Sequence, residues 1–172
     1  MIYKSLGVTV LLVAFAGSVL AQTQVSGTLK CGGNKADIQN TVEVGDHPGH
    51  LLLVGKGTCT WNAPLEIAGL KSAAYTGAST TEVNGAKFQD RGYAVITMEN
   101  GDKVYARNLD MGTTTEGGKA STYEGTWSFT GGTGKFKGTK GKGTYKGSGA
   151  TDGITTAQIE GEYSLPQASS QK

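Results

Sequence analysis

Between Tyr123 and Gly147 the chain reads YEGTWSFTGGTGKFKGTKGKGTYKG, two alternating runs on either side of a glycine- and lysine-rich reversal. Strict alternation sends successive side chains to opposite faces of a strand, whereas a helix needs a repeat near 3.6 residues. Glycine supplies 28 of the 172 residues and proline only 3, a balance that suits many strands joined by tight turns better than it suits helices. The segment therefore specifies antiparallel β structure. It specifies no reaction, because glycine contributes turn geometry and lysine contributes charge.

The same alternation predicts strands over residues 24–31, 41–44, 50–61, 87–99, 103–109, 122–130, 141–146 and 157–165. Eight is a number that closes a small barrel, so the expected fold is all-β: a single antiparallel eight-stranded barrel with little or no helix. Residues 64–74 carry some helical character, interrupted by Gly69, and predict at most a turn or two of helix. The sharpest hairpin signal is Glu99-Asn100-Gly101-Asp102, where Asn-Gly at the centre fits a two-residue type I′ turn. That register pairs Thr97 with Val104, Val95 with Ala106, Tyr93 with Asn108 and Arg91 with Asp110. Both resulting faces mix apolar and polar residues, which leaves the core side of the hairpin undecided.

At the N-terminus, Lys4 precedes an apolar run from Leu6 to Ala16, followed by Val19 and Ala21 at the small-residue positions of a cleavage site. This is the pattern of a secretory signal covering residues 1–21, cut after Ala21. The run is shorter than the roughly 20 apolar residues that span a bilayer, and no later segment approaches that length. The expected organisation is signal peptide 1–21, barrel domain 22–165 and a polar, frayed tail 166–172, with the protein secreted or periplasmic. About 150 residues then remain, the size of one domain with one core. Cleavage takes one of the 16 basic side chains, Lys4, and none of the 14 acidic ones. The near-neutral remainder argues against a nucleic-acid partner. Cys31 and Cys59, the two cysteines, match no metal or redox spacing, and in an oxidising compartment they pair most simply as a disulfide worth on the order of 3 kcal/mol.

The element Gly131-Gly132-Thr133-Gly134-Lys135-Phe136-Lys137-Gly138-Thr139-Lys140-Gly141 resembles the turn signature of the allene oxide cyclase and dirigent-like barrels. The resemblance implies a calycin-like eight-stranded barrel around a hydrophobic cavity. Gly131, Gly132, Gly134, Gly138 and Gly141 would shape the reversal, and Phe136 would fold back to plug one end of the core. Barrels of this kind cyclise or orient reactive hydrophobic molecules by means of acidic and polar lumenal residues; this sequence offers no position-by-position match to those residues.

Other constellations carry less. Gly134-Lys135 lacks the spacing and the Ser or Thr of a phosphate loop, and Gly132-Thr133-Gly134 is followed by no helix pattern. Lys135, Lys137, Lys140, Lys142 and Lys146 form a basic cluster. It serves either as a solubilising guard on exposed strands or as a patch for an anionic polymer or lipid head group. His47 and His50, with Asp46 beside them, are a weak metal pair that reads first as a Pro48-Gly49 turn, so no metal and no cofactor is expected. No G-x-S-x-G elbow or H-E-x-x-H motif is present. Among the remaining polar strand residues, Arg91 and Asp110 form an expected surface ion pair, and Tyr93, Tyr105 and Arg107 are the candidates for a ligand cavity. The expected function is a non-enzymatic exported barrel that binds a small hydrophobic or amphipathic molecule, or an envelope accessory protein. The rival is a cofactor-independent cyclase or isomerase, which requires two or more polar groups converging inside the barrel.

Overall fold

In the computed structural model, which describes residues 22–32, 38–115, 120–150 and 153–166, ten strands form one sheet that closes on itself. The strands are β1 (Thr23–Cys31), β2 (Ile38–Glu43), β3 (His50–Ala63), β4 (Glu66–Ile67), β5 (Leu70–Asn84), β6 (Lys87–Met98), β7 (Lys103–Thr114), β8 (Ser121–Gly132), β9 (Lys140–Gly149) and β10 (Thr155–Ser164). Eight of them, β3-β1-β10-β9-β8-β7-β6-β5, make the ring, closed by pairing of β3 with β5, and every pairing is antiparallel. The expected signal segment and residues 167–172 of the expected tail lie outside the described residues. No helix among the described residues is long and apolar enough to cross a membrane.

The expected number of staves is right, but one of its members is not. Residues 64–74 are not helical: Ala68 and Gly69, at φ 54° and 76°, make the tight turn between β4 and β5, the positive-φ pair of a type I′ hairpin. The fifteen-residue β5 that follows is a full stave, whereas β2, expected as a stave, pairs only with the N-terminal half of β3. Hydrophobic alternation missed β5 because its inward residues include Ser72, Gly77, Ser79 and Thr81, and a bulge between Ser72 and Ala74 breaks the period.

The hairpin between β6 and β7 differs from expectation by one residue. Gly101 N–H donates to the Met98 carbonyl at 2.9 Å and Met98 N–H to the Asp102 carbonyl at 2.8 Å, with Gly101 at φ 84°. This is a three-residue loop, a type I turn followed by a left-handed glycine. Ile96 therefore faces Val104, Ala94 faces Ala106, Gly92 faces Asn108 and Asp90 faces Asp110. A slip of one residue in one strand turns its whole side-chain set over. In the observed register the inner face is uniform: Ala94, Ile96, Met98, Val104 and Ala106 are all buried.

One end of the barrel is capped. Phe136, fully buried, sits in a single 3-10 turn (Gly134–Phe136) beside Leu65, Ile67, Met98 and Val104. Its carbonyl accepts from Thr139 N–H at 3.0 Å, and its N–H donates to the Thr133 carbonyl at 2.8 Å. Gly132 is obligatory here, since a Cβ would lie 2.4 Å from the Lys103 carbonyl and 2.8 Å from Phe136 Cβ. Phe136 thereby joins the core cluster of the barrel. Cys31 and Cys59 face each other across β1 and β3 and are joined by a disulfide.

Candidate lumenal acid pair

Inward positions along β6 and β7 change from apolar near the plug to acidic farther down, because the sequence alternation holds while residue type switches. The row Thr81–Asp90–Asp110–Gly125–Tyr145 crosses five neighbouring strands. Gly125 leaves a gap: a Cβ there would lie 2.4 Å from Asp110 Cβ. Across that gap the Tyr145 hydroxyl donates to Asp110 Oδ2. Thr81 Oγ1 donates to Asp90 Oδ1 at 2.5 Å. Asn108 Nδ2 stands between the two acids, 3.4 Å from Asp90 Oδ2, 3.3 Å from Asp110 Oδ2 and 3.2 Å from the Tyr145 hydroxyl. Gly92, opposite Asn108, gives that amide its room, since a Cβ would come within 2.5 Å of Asn108 Oδ1.

Burial dominates the electrostatics. Asp110 is 7% exposed, and loss of hydration pushes its carboxyl up to about 6, with the nearby Asp90 charge adding to the rise and the Tyr145 and Asn108 hydrogen bonds opposing it. Burial also raises the Tyr145 phenol, reinforced by its bond to the Asp110 carboxylate. The Tyr75 phenol is pushed up to about 12, mainly by burial. Both phenols stay protonated donors, while Asp110 changes charge near neutral pH.

Two connected spaces meet at this group. An inner cavity of about 180 Å³ has Trp61, Ala94, Ile96, Ala106 and Trp127 on its apolar side and Asp110, Asn108, Tyr75 and Tyr145 on its polar side. A wider space of about 390 Å³ shares Tyr75, Asn108, Asp110 and Tyr123 with it and extends past Asp90, Thr81 and Phe88. A larger depression, about 820 Å³, lies elsewhere, on the outer wall beside Tyr93, Arg107, Lys142 and Glu162. It has no comparable set of buried acids.

The three side chains expected to line the cavity are exposed. Tyr93, 72% exposed, and Tyr105 lie on the outer wall, and exposed Arg107 donates from Nε to Ser128 Oγ at 2.9 Å. The one-residue change of hairpin register puts all three on one face, and the apolar residues of the opposite face take the interior. The same change separates Arg91, which faces Leu109, from Asp110, which faces Asp90, so no surface ion pair joins them. Choosing the register that gathers Ala94, Ile96, Met98, Val104 and Ala106 on one face would have placed Asp90 and Asp110 inside with them. Of the five lysines, Lys142 lies 3.5 Å from Glu162 and Lys146 3.5 Å from Glu124 on the outer wall, Lys135 Nζ donates to the Ala68 carbonyl at 3.0 Å, and Lys137 and Lys140 are exposed. His47 and His50 lie at the turn between β2 and β3.

No family model matches the sequence, and no curated protein matches it. Among solved structures the chain is similar to a pterocarpan synthase dirigent protein, at 13% identity, 88% coverage of this chain, 89% coverage of that one and a TM-score of 0.43.

Proposed function

We propose that this barrel is exported and that it binds a small, mainly apolar molecule in its lumen and moves a proton on it, acting as a cofactor-independent isomerase or cyclase. The observation that carries the reading is the Asp90–Asp110 pair, facing each other inside the barrel and tied to Tyr145 and Asn108 at the edge of an apolar cavity. Export is supported by the apolar N-terminal run and by the disulfide.

A carboxyl that titrates near 6 suits general acid–base work, because it is available in both protonation states close to neutral pH. Asp110 is the proton carrier in this scheme. Tyr145 and Asn108 hold it in place, and Thr81 and Asn108 hold Asp90, whose proximity favours the protonated form of Asp110. The inner cavity has room for about one ring, so an apolar ring would rest against Trp61, Ile96 and Trp127 while its polar substituent meets Asp110. The burial of Asp110, 7% exposed, makes each hydrogen bond it forms stronger than in solvent.

Solvent deuterium reports the proton transfer whichever apolar molecule is the substrate. Purified protein is incubated in deuterium oxide with small apolar extracts of its source, and products are analysed by mass spectrometry. Wild type should place solvent deuterium in at least one product, and Asp110→Asn should not. A second reading, binding without chemistry, is favoured by the predominance of apolar side chains at the inner end. Quenching of Trp61 and Trp127 fluorescence by 4-methylphenol with no deuterium incorporation in any extract would select it.

A further inference from the structure

The turn between β2 and β3 builds a second polar group, which shares no residue with the acid pair and its partners. Pro48 and Gly49 occupy the centre of a reversal, with Gly49 at φ 79° and His50 N–H directed at the His47 carbonyl at 3.4 Å, the arrangement of a type II turn. The reversal returns His50 over His47, so the two rings stack with centroids 4.9 Å apart and planes 27° from parallel. Asp46 meets both: its Oδ1 lies 2.7 Å from His50 Nδ1 and its Oδ2 lies 3.1 Å from His47 Nδ1.

The far sides of both rings are held by β5. His50 Nε2 is 3.0 Å from Glu82 Oε1, and His47 Nε2 is 3.1 Å from Asn84 Oδ1. An ionised carboxylate and an amide oxygen only accept hydrogen bonds, so each Nε2 carries the proton. In a neutral ring the Nδ1 lone pair then faces the Asp46 carboxylate, acceptor against acceptor. A second proton on the ring, which the Asp46 and Glu82 carboxylates favour at His50, or a metal cation in its place resolves the conflict. One donor atom from each of Asp46, His47 and His50 lies within 4.8 Å of the other two, and tetrahedral bonds of about 2.0–2.1 Å set donor separations near 3.3 Å.

We propose that Asp46, His47 and His50 bind one divalent transition-metal ion, Zn2+ or Cu2+, through both Nδ1 atoms and a carboxylate oxygen, with Glu82 and Asn84 orienting the imidazoles from behind. Imidazole nitrogen with a single carboxylate favours such borderline ions over Mg2+ or Ca2+. Acceptors on the distal N–H groups are the usual companions of metal-bound histidine, fixing tautomer and ring direction. The side chain of His50 is 13% exposed and that of His47 42%, so the ion can enter from solvent and water can complete its coordination.

Isothermal titration of tag-free, chelator-treated protein with ZnCl2 and with CuSO4 tests this. One ion per chain should bind saturably. His47→Ala and His50→Ala should each abolish the binding, and Glu82→Ala and Asn84→Ala should each weaken it about 10- to 100-fold. Asp110→Asn should leave it unchanged, and thermal melts without metal should show every variant folded. Absence of saturable heat for both ions would overturn the proposal. So would saturable binding that survives the double substitution of His47 and His50, since the ion would then sit elsewhere.

Discussion

Asp110 is the residue at which burial, charge and geometry coincide, and its titration has a consequence for stability. Its folded pKa, about 6, lies above the ordinary aspartate value of 3.8, so between these values the folded chain holds a proton that the unfolded chain releases. Stability must therefore fall as pH rises from about 4 to about 6, and this contribution levels off above that window. Asp110→Asn stays neutral throughout. The melting temperature of the variant minus that of wild type, followed by circular dichroism, should grow across that window; a difference independent of pH would mean that Asp110 is not held protonated by the fold. None of this is legible from Asp110 in the sequence, where it is one of 14 acidic residues. Its neighbours Asp90, Asn108 and Tyr145 come from three strands, and only pairing brings them together.

The strand pair β8–β9 explains the glycine–lysine alternation that is the most conspicuous pattern of the chain. Gly141, Gly143 and Gly147 face inward, and a Cβ on each would collide with Phe129, Trp127 and Tyr123 respectively, at 2.6, 2.6 and 2.2 Å. The lysines between them point to solvent. The large side chains of β8 thus fill the space that β9 leaves, large against small across one sheet. Gly143→Ala should cost about 1–3 kcal/mol by overpacking, because its new Cβ would also lie 2.0 Å from the Glu160 carbonyl. Lys142→Ala, one residue away, loses only the ion pair between its own 74% exposed side chain and Glu162, and should change stability by less than about 1 kcal/mol. Urea unfolding of both variants measures the contrast, and equal effects would disprove the packing account. Turn chemistry was legible at Asn100-Gly101, but its loop length was not, since Asn-Gly serves both a two-residue turn and a three-residue loop. Burial of a uniformly apolar face chose between them.

Closure of the ring is a property of the whole molecule. The disulfide lies where the pairing of β3 passes from β1, opposite residues 59–63, toward β2, opposite residues 51–55. It ties the first stave to the strand that seals the barrel against β5. Replacing both cysteines by serine should lower the unfolding free energy by about 3 kcal/mol, chiefly by freeing the unfolded chain. Guanidinium unfolding would show this as a lower midpoint, and an unchanged midpoint would mean that the ring is indifferent to the link. The joint between β3 and β5 itself had no herald in the sequence, because the inward side of β5 is mostly small and polar where it borders the lumen.

By itself the sequence determined the all-β class, the positions of most strands, the pairing of the cysteines and the glycine-rich plug around Phe136. These depend on local alternation, on turn residues and on the presence of only two thiols. Tertiary structure alone decided which face of each strand is interior, which strand completes the ring, and therefore which polar groups meet. In a closed barrel that choice follows from register, and register is settled by the apolar surface buried over the whole sheet. A shift of one residue at Gly101 gathers Tyr93, Tyr105 and Arg107 on one face and leaves Asp90 and Asp110 facing each other on the other, and burial of Ala94, Ile96, Met98, Val104 and Ala106 makes that other face the interior.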